Sequence, residues 1–375
     1  MPFSKLYASG SAPYYIIAHP YTRFSAGVKA LHILCHNLNQ LGHSASILPI
    51  NDESVLQRED FCNPELLTPL LTLAVAQRHY EDARTPIIIY PEIISGAPYG
   101  GACVVRYVLN YPGLLGGDKI FDQNDLCFSY SKILARHTNY PDNILFIPAS
   151  DERIFHPPTG ENKRSGTCFY ASKYQKAHQG KLFDITKDSL EITSGLETSQ
   201  SPEEIAEIFR RSEIFYTYEN TALAIEATLC GCPAVFLPND HLQSIIASEE
   251  LGSDGIAWGT DPHEIARAKE SVQKAFKNYT QCLEKFYEDL DVFIVKTQNH
   301  ARHKEYSPDH YNRLLSHLIR LSALEWKEQH YAPILKKLPW QIEKHFGALL
   351  CSLGLKEDGE FLWNRAERRA KINKS

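Results

Sequence analysis

No stretch of this chain approaches the ~18 consecutive apolar residues that a membrane-spanning helix requires, so none is expected. The opening segment, MPFSKLYASGSAPYYIIAHP, lacks a long apolar core behind a basic start, and no secretion signal is expected. A basic excess is also missing: 39 Lys and Arg face 45 Asp and Glu, a net charge of −6. A duplex-binding surface normally leaves a positive balance, so nucleic acid is not expected as a main partner. Nine cysteines are scattered rather than grouped, and Cys230 and Cys232 are too close in sequence for a zinc-ligand pair. They read as small side chains in a tight turn, and the whole set as free thiols of a cytosolic protein. Short-period repeats and low-complexity tracts are absent as well.

What remains is a globular composition, 43% hydrophobic and 22% charged over 375 residues, which is enough for two cores. The first half alternates strand-like and helix-like segments. Short apolar runs stand at 14–18, 45–49, 86–90, 104–109, 126–129 and 143–148, and each reads as a buried strand. After a loop at 19–27, residues 28–41 carry apolar positions at helical spacing and stop at Gly42. Strands alternating with helices imply a parallel sheet covered on both faces. Residues 151–160, DERIFHPPTG, read as a boundary, and the alternation then restarts. Strands are expected at 166–171, 189–193, 214–218, 234–238 and 256–258, with a helix at 241–251. Ser201-Pro202-Glu203-Glu204 combines an N-cap, a first-turn proline and first-turn acids, and predicts a helix to about Arg211. From Pro262 onward the pattern is helical. The fold class is therefore α/β, with two doubly wound Rossmann-like domains and a helical C-terminal extension.

The most telling segment is 218–238, YENTALAIEATLCGCPAVFLP, which reads as loop, helix, tight turn and buried strand. A helix start offers unpaired N–H groups and partial positive charge, which suits a phosphate. Asn220, Thr221 and Ala222 stand at that start. Glu226 lies within a helix that is apolar nearly all round, so it should be buried and need partners. A ribose supplies two hydroxyls. Such a unit holds a nucleotide without a metal and points to an enzyme using a nucleotide-linked substrate.

The order of a glycine loop and helix, DERIFHP (Asp151, Phe155, Pro157), a lysine loop after FYASKY, and EATLCGCP (Glu226, Ala227, Cys230, Gly231, Pro233) resembles the GT-B glycosyltransferases, in particular the retaining family 4-like group. The resemblance covers roughly residues 14 to 300. It implies an N-terminal acceptor-side domain at 1–156, a nucleotide-sugar domain at 157–310, and C-terminal helices at 311–375 packed back on the first domain. It implies Lys173 and Glu219 as catalytic residues. Donor contacts would come from Gly27, Lys173, Lys181, Glu219, Asn220, Thr221, Ala222 and Glu226. Tyr21, Arg23, Glu92, Arg106 and Asn110 are candidates for the acceptor, with Ser25 beside them.

The implied activity is metal-independent transfer of a sugar from a nucleotide sugar to a saccharide or lipid-linked saccharide, with retention, in assembly of bacterial lipopolysaccharide, capsule or O-antigen. No cofactor and no metal site are expected. The basic tail at 363–375 suggests peripheral contact with an anionic membrane face. Glu219 and Glu226 stand one residue closer than the family's glutamates, and the loop after VVRYVL lacks its histidine, which motivates a degenerate GT-B scaffold subunit as an alternative; a nucleotide-sugar hydrolase or epimerase, and an inverting transferase with Glu92 essential, are the others.

Overall fold

The computed structural model describes residues 11–23, 25–50, 61–160, 163–193 and 199–335, with a few isolated residues between 344 and 366. The first sheet has five parallel strands in the order β2-β1-β3-β4-β5: β1 Tyr14–Ala18, β2 Ala45–Pro49, β3 Ile87–Pro91, β4 Cys103–Val108 and β5 Leu126–Ser129. Every residue of these strands is buried, because helices cover both faces. In β1 the alternation is direct. Tyr14, Ile16 and Ala18 join the core on one face, and Tyr15 and Ile17 join that on the other. Helix α1, Ala26–Gln40, connects β1 to β2, and α2, Leu73–Glu81, precedes β3. A four-residue α3, Lys132–Ala135, follows β5.

The second sheet is also five-stranded and parallel, in the order β10-β9-β8-β6-β7. Its strands are β6 Thr167–Tyr170, β7 Leu190–Glu191, β8 Ile214–Thr217, β9 Ala234–Phe236 and β10 Ile256–Trp258. Its helices are α4 Ser172–Lys176, α5 Pro202–Arg211, α6 Ala222–Leu229, α7 Ser248–Leu251 and α8 Pro262–Ser271. The expected start of α5 is present as a full capping box between Ser201 and Glu204, with Pro202 in the first turn. Two Rossmann-like parallel domains followed by helices are thus the architecture of the chain.

Two elements differ from expectation. Residues 143–148 make one bridge, Ser129 to Ile144, rather than a strand. Strand β5 ends at Ser129 and the chain then turns into α3, so residues beyond Leu145 have no strand to pair with. At 241–251 only the last four residues are helical. The Asn220 amide donates to the Ser244 carbonyl at 2.9 Å and accepts from the Ile246 N–H at 3.1 Å. Groups that a helix would pair within itself are bonded elsewhere.

A single helix, α9 Ala275–Arg302, ties the domains together. Its length is about 40 Å at 1.5 Å per residue. Tyr279 packs in the second core, and its hydroxyl donates to the Ser150 carbonyl at 2.8 Å. Further along, Phe286, Leu290 and Phe293 belong to the first core, and Thr297 meets the Tyr14 hydroxyl at 2.9 Å. Helix α10, Pro308–Leu335, sets Leu314, Leu318 and Leu321 against the opposite face of the first sheet, a helical spacing that makes one apolar stripe. None of the described helices is long and apolar enough to cross a membrane. Apart from Trp363, Asn364 and Ala366, the basic tail lies outside the described residues.

Candidate functional site

The loops that follow β1, β3 and β4 face those that follow β6 and β8, which is where open parallel sheets bind ligands. Two cavities lie between the domains. One, of about 230 Å³, is lined by His19, Gly27, Glu92, Asn110, Lys173 and Asn220 among others. The other, of about 330 Å³, is lined by Tyr21, Arg23, Lys29, Asp151, Thr193 and Glu226 among others. They share Ala149, Thr221 and Ala222, so the start of α6 stands where the two meet.

Thr221 caps α6 by accepting from the Leu223 N–H at 3.3 Å. Glu226, one turn on, is 5% exposed. Its partner is Lys29 of α1, whose Nζ lies 3.3 Å from Oε1 across the domain boundary. Lys29 was not picked out from the sequence. The available signal was a lysine within the apolar run VKALHIL of α1. Arg23 makes a second crossing bond, donating to the Gln200 carbonyl at 2.9 Å. Tyr21 packs edge-on against His32, with ring centroids 5.4 Å apart. Asp151 is bound by Arg153, which holds its carboxyl below the ordinary range.

On the other cavity, Lys173 is exposed on α4 and reaches the lining. Glu92 is buried, and its Oε2 accepts from the Leu109 N–H at 2.9 Å. Burial pushes its carboxyl from about 4.5 up to about 7, with main-chain hydrogen bonds from Leu109 and from Glu92 itself opposing. His19, also missed in the sequence although it directly follows β1, lines the same cavity, and burial lowers its pKa. Asn110 lies beside them, its side-chain oxygen accepting from the Tyr111 N–H at 2.8 Å. Ser25 caps α1 through the Val28 N–H at 3.4 Å. Gly27 sits in the first turn of α1, where a Cβ would meet only Leu109 at ordinary contact distance. The backbone there does not depend on glycine.

Three expected site residues lie elsewhere. Arg106 points into the first domain, not into the cleft. It is 2% exposed, pairs with Asp125 at 2.7 Å, and donates to the carbonyls of Ile94 and Gly96. A buried guanidinium needs these partners, and the acid sits opposite on β5's approach. Lys181 is exposed on neither cavity, because the chain at Gly180 wraps the Tyr174 ring and the Lys181 carbonyl accepts from the Tyr174 hydroxyl at 3.3 Å. Glu219 lines neither cavity either. Its Oε2 accepts the N–H groups of Lys173 and Tyr174 at 2.7 and 3.0 Å, closing the start of α4. Burial raises its pKa against those two bonds, and Oε1 has no partner among the described residues.

Among the described residues no group of three or more His, Cys, Asp or Glu is arranged to hold a metal ion. The arrangement offers a helix start and a lysine for an anion, a buried carboxylate for hydroxyls, and a second carboxyl poised to exchange a proton near neutrality.

No protein-family profile and no curated protein sequence matches this chain. Solved structures similar to it include the glycosyltransferase SnogD from Streptomyces nogalater, with a TM-score of 0.39 and 11% identity over 75% of this chain and 99% of that one. The T4 phage BGT in complex with UDP and Mn2+ has a TM-score of 0.36 and 10% identity over 82% and 99%. A Listeria monocytogenes protein assigned as a UDP-N-acetylglucosamine 2-epimerase has a TM-score of 0.35 and 10% identity over 85% and 96%.

Proposed function

We propose that this chain is a glycosyltransferase that moves a sugar from a nucleotide sugar to an acceptor hydroxyl. The observation that carries this reading is the meeting of two interdomain cavities at the start of α6, with buried Glu226 on one and Lys173 on the other. The nucleoside occupies the cavity beside Glu226, whose carboxylate accepts the ribose hydroxyls in place of Lys29. The diphosphate lies at Thr221 and Ala222, where the helix start and Lys173 offset its charge without a metal. The sugar then enters the other cavity, near Glu92 and His19.

In the transfer step the acceptor oxygen bonds to the anomeric carbon as the bond to the diphosphate breaks. The acceptor proton passes to Glu92, and the nucleoside diphosphate leaves. Glu219 acts through Lys173: by closing the start of α4 it fixes the backbone that carries the lysine. A single displacement with Glu92 as base inverts the anomeric centre, in contrast to the retention that the sequence resemblance implies, and NMR of the product distinguishes the two.

The direct test is release of nucleoside diphosphate from UDP-, GDP- and ADP-glucose and their N-acetylhexosamine counterparts. Slow release with one base, lowered ten- to a hundredfold in Lys173→Ala, supports the proposal. No release from any donor would leave a binding subunit as the better reading.

A further inference from the structure

We infer that the outer face of α9 docks a second copy of this chain, the two helices running antiparallel about a two-fold axis centred between residues 293 and 294. The inner side of α9 is occupied: Phe286, Leu290, Phe293, Thr297 and Ala301 are buried. The outer side carries Glu284, Glu288, Val292, Val295, Asn299 and Arg302, at spacings of three and four residues, and all six are exposed. Val292 and Val295, at its middle, are 49% and 59% exposed, and Tyr287 on its flank is 54% exposed.

The charges on this face are sorted by end. Glu284, Glu288 and Asp291 crowd two turns, and like charges at these spacings destabilise a helix. None of the three has a hydrogen bond or ion pair among the described residues, and Lys285, next to Glu284, goes to Asp289 at 2.5 Å instead. Arg302 stands ~27 Å from Glu284 along the helix, at 1.5 Å per residue. It too has no partner among the described residues. Beside it opens a cavity of about 770 Å³, lined by Arg84, Arg302 and Lys304 together with His43, against one acid, Asp82. Acid at one end, base at the other and valines between make a face that is complementary to itself when reversed.

In that arrangement Val292 of one copy lies opposite Val295 of the other, and Glu284 opposite Arg302. Each contact occurs twice, as an isologous interface requires. Tyr287 comes level with residue 300, at the basic cavity that Val295, Asn299 and Arg302 help to line. A parallel pairing would set acid on acid. Exposed ion pairs add little strength, so the valines and Tyr287 supply the buried area, and the charges select direction and register. The cavity stands at the starts of β1, β2 and β3, the edge of the first sheet opposite the cleft. The contact therefore does not depend on what the cleft binds.

The test is sedimentation equilibrium of the full chain as wild type, Glu284→Arg, Arg302→Glu, and an equal mixture of the two variants. Both positions are exposed on a helix, so the fold does not rest on them. Wild type is expected to dimerise with concentration. Each variant alone sets like charges together at both ends, and its dimer should dissociate at least tenfold more readily. The mixture should recover the wild-type dimer, because each variant supplies the charge that the other lacks. A wild type that stays monomeric at about 100 µM, a dimer that neither variant weakens, or a mixture that recovers nothing would each overturn the inference.

Discussion

Lys29 and Glu226 are 197 residues apart in sequence and 3.3 Å apart in space, one in each domain, and both are buried. A buried ion pair is costly to form, but costlier to break from one side, because the surviving charge loses its partner. The pair therefore fixes how the domains meet. It also places the carboxylate proposed for ribose binding next to a cation that a nucleotide's own charge can attract.

Lys29→Met is expected to destabilise the protein by about 3–5 kcal/mol, whereas Lys29→Met with Glu226→Gln should cost much less. Urea denaturation of the two single variants and the double variant measures this. Equal costs for single and double variants would mean that the pair does not couple the domains.

Glu92 makes stability and activity respond to pH in opposite directions. Its carboxyl is raised from about 4.5 to about 7, so the folded state holds the proton more tightly than the unfolded chain does. The associated stability is fully present below pH 4.5 and is lost as pH rises through about 7, an effect of ~3 kcal/mol. Glu92→Gln, which keeps an oxygen for the Leu109 N–H, should melt higher than wild type at pH 8 and match it near pH 4.5. As the proton acceptor, Glu92 must be ionised, so transfer should rise through pH 7 in wild type and lose that limb in Glu92→Gln. Melting curves and initial rates across pH 5–9 decide both points.

Glu219→Ala removes the group that closes the start of α4, orphaning the N–H groups of Lys173 and Tyr174. A stability loss of about 1–2 kcal/mol is expected, together with weaker nucleotide binding because Lys173 loses its support. Undiminished nucleotide affinity in this variant would detach Lys173 from the diphosphate.

Arg106→Met should unfold the protein readily, by about 3–5 kcal/mol, since Asp125 is left buried without its partner. Joint replacement of Asp125 by Asn should recover part of that loss without changing acceptor KM. A selective rise in acceptor KM would return Arg106 to the active site.

Most strands of the two sheets could be read from the sequence because strands buried on both faces are near-continuous apolar runs, as YYIIA and PIIIY are, whereas the exposed two-residue β7 is shorter than the expected 189–193. The start of α5 was equally legible, since Ser201, Pro202 and Glu204 carry its capping chemistry locally. Roles decided by distant partners were not. Arg106 on a strand looks the same whether it faces solvent or an acid 19 residues on. Glu219 gives no hint that its carboxylate closes a helix 46 residues back. Residues 241–251 have helical spacing, yet the Asn220 side chain takes the backbone groups a helix would use. The burial of Glu226 was readable from its apolar helix, but its partner Lys29 lies in the other domain.

The proposed function depends on a nucleotide held between the domains by Glu226. The most direct measurement is a thermal-shift panel with UDP, GDP, CMP and ADP on wild type and Glu226→Ala. Ligand at a hundred times its dissociation constant adds about 2.7 kcal/mol, a rise of a few degrees. One nucleotide is expected to raise the wild-type midpoint and to fail to raise that of Glu226→Ala. An equal rise in both proteins would contradict the ribose contact, and no rise with any nucleotide would contradict the nucleotide site itself.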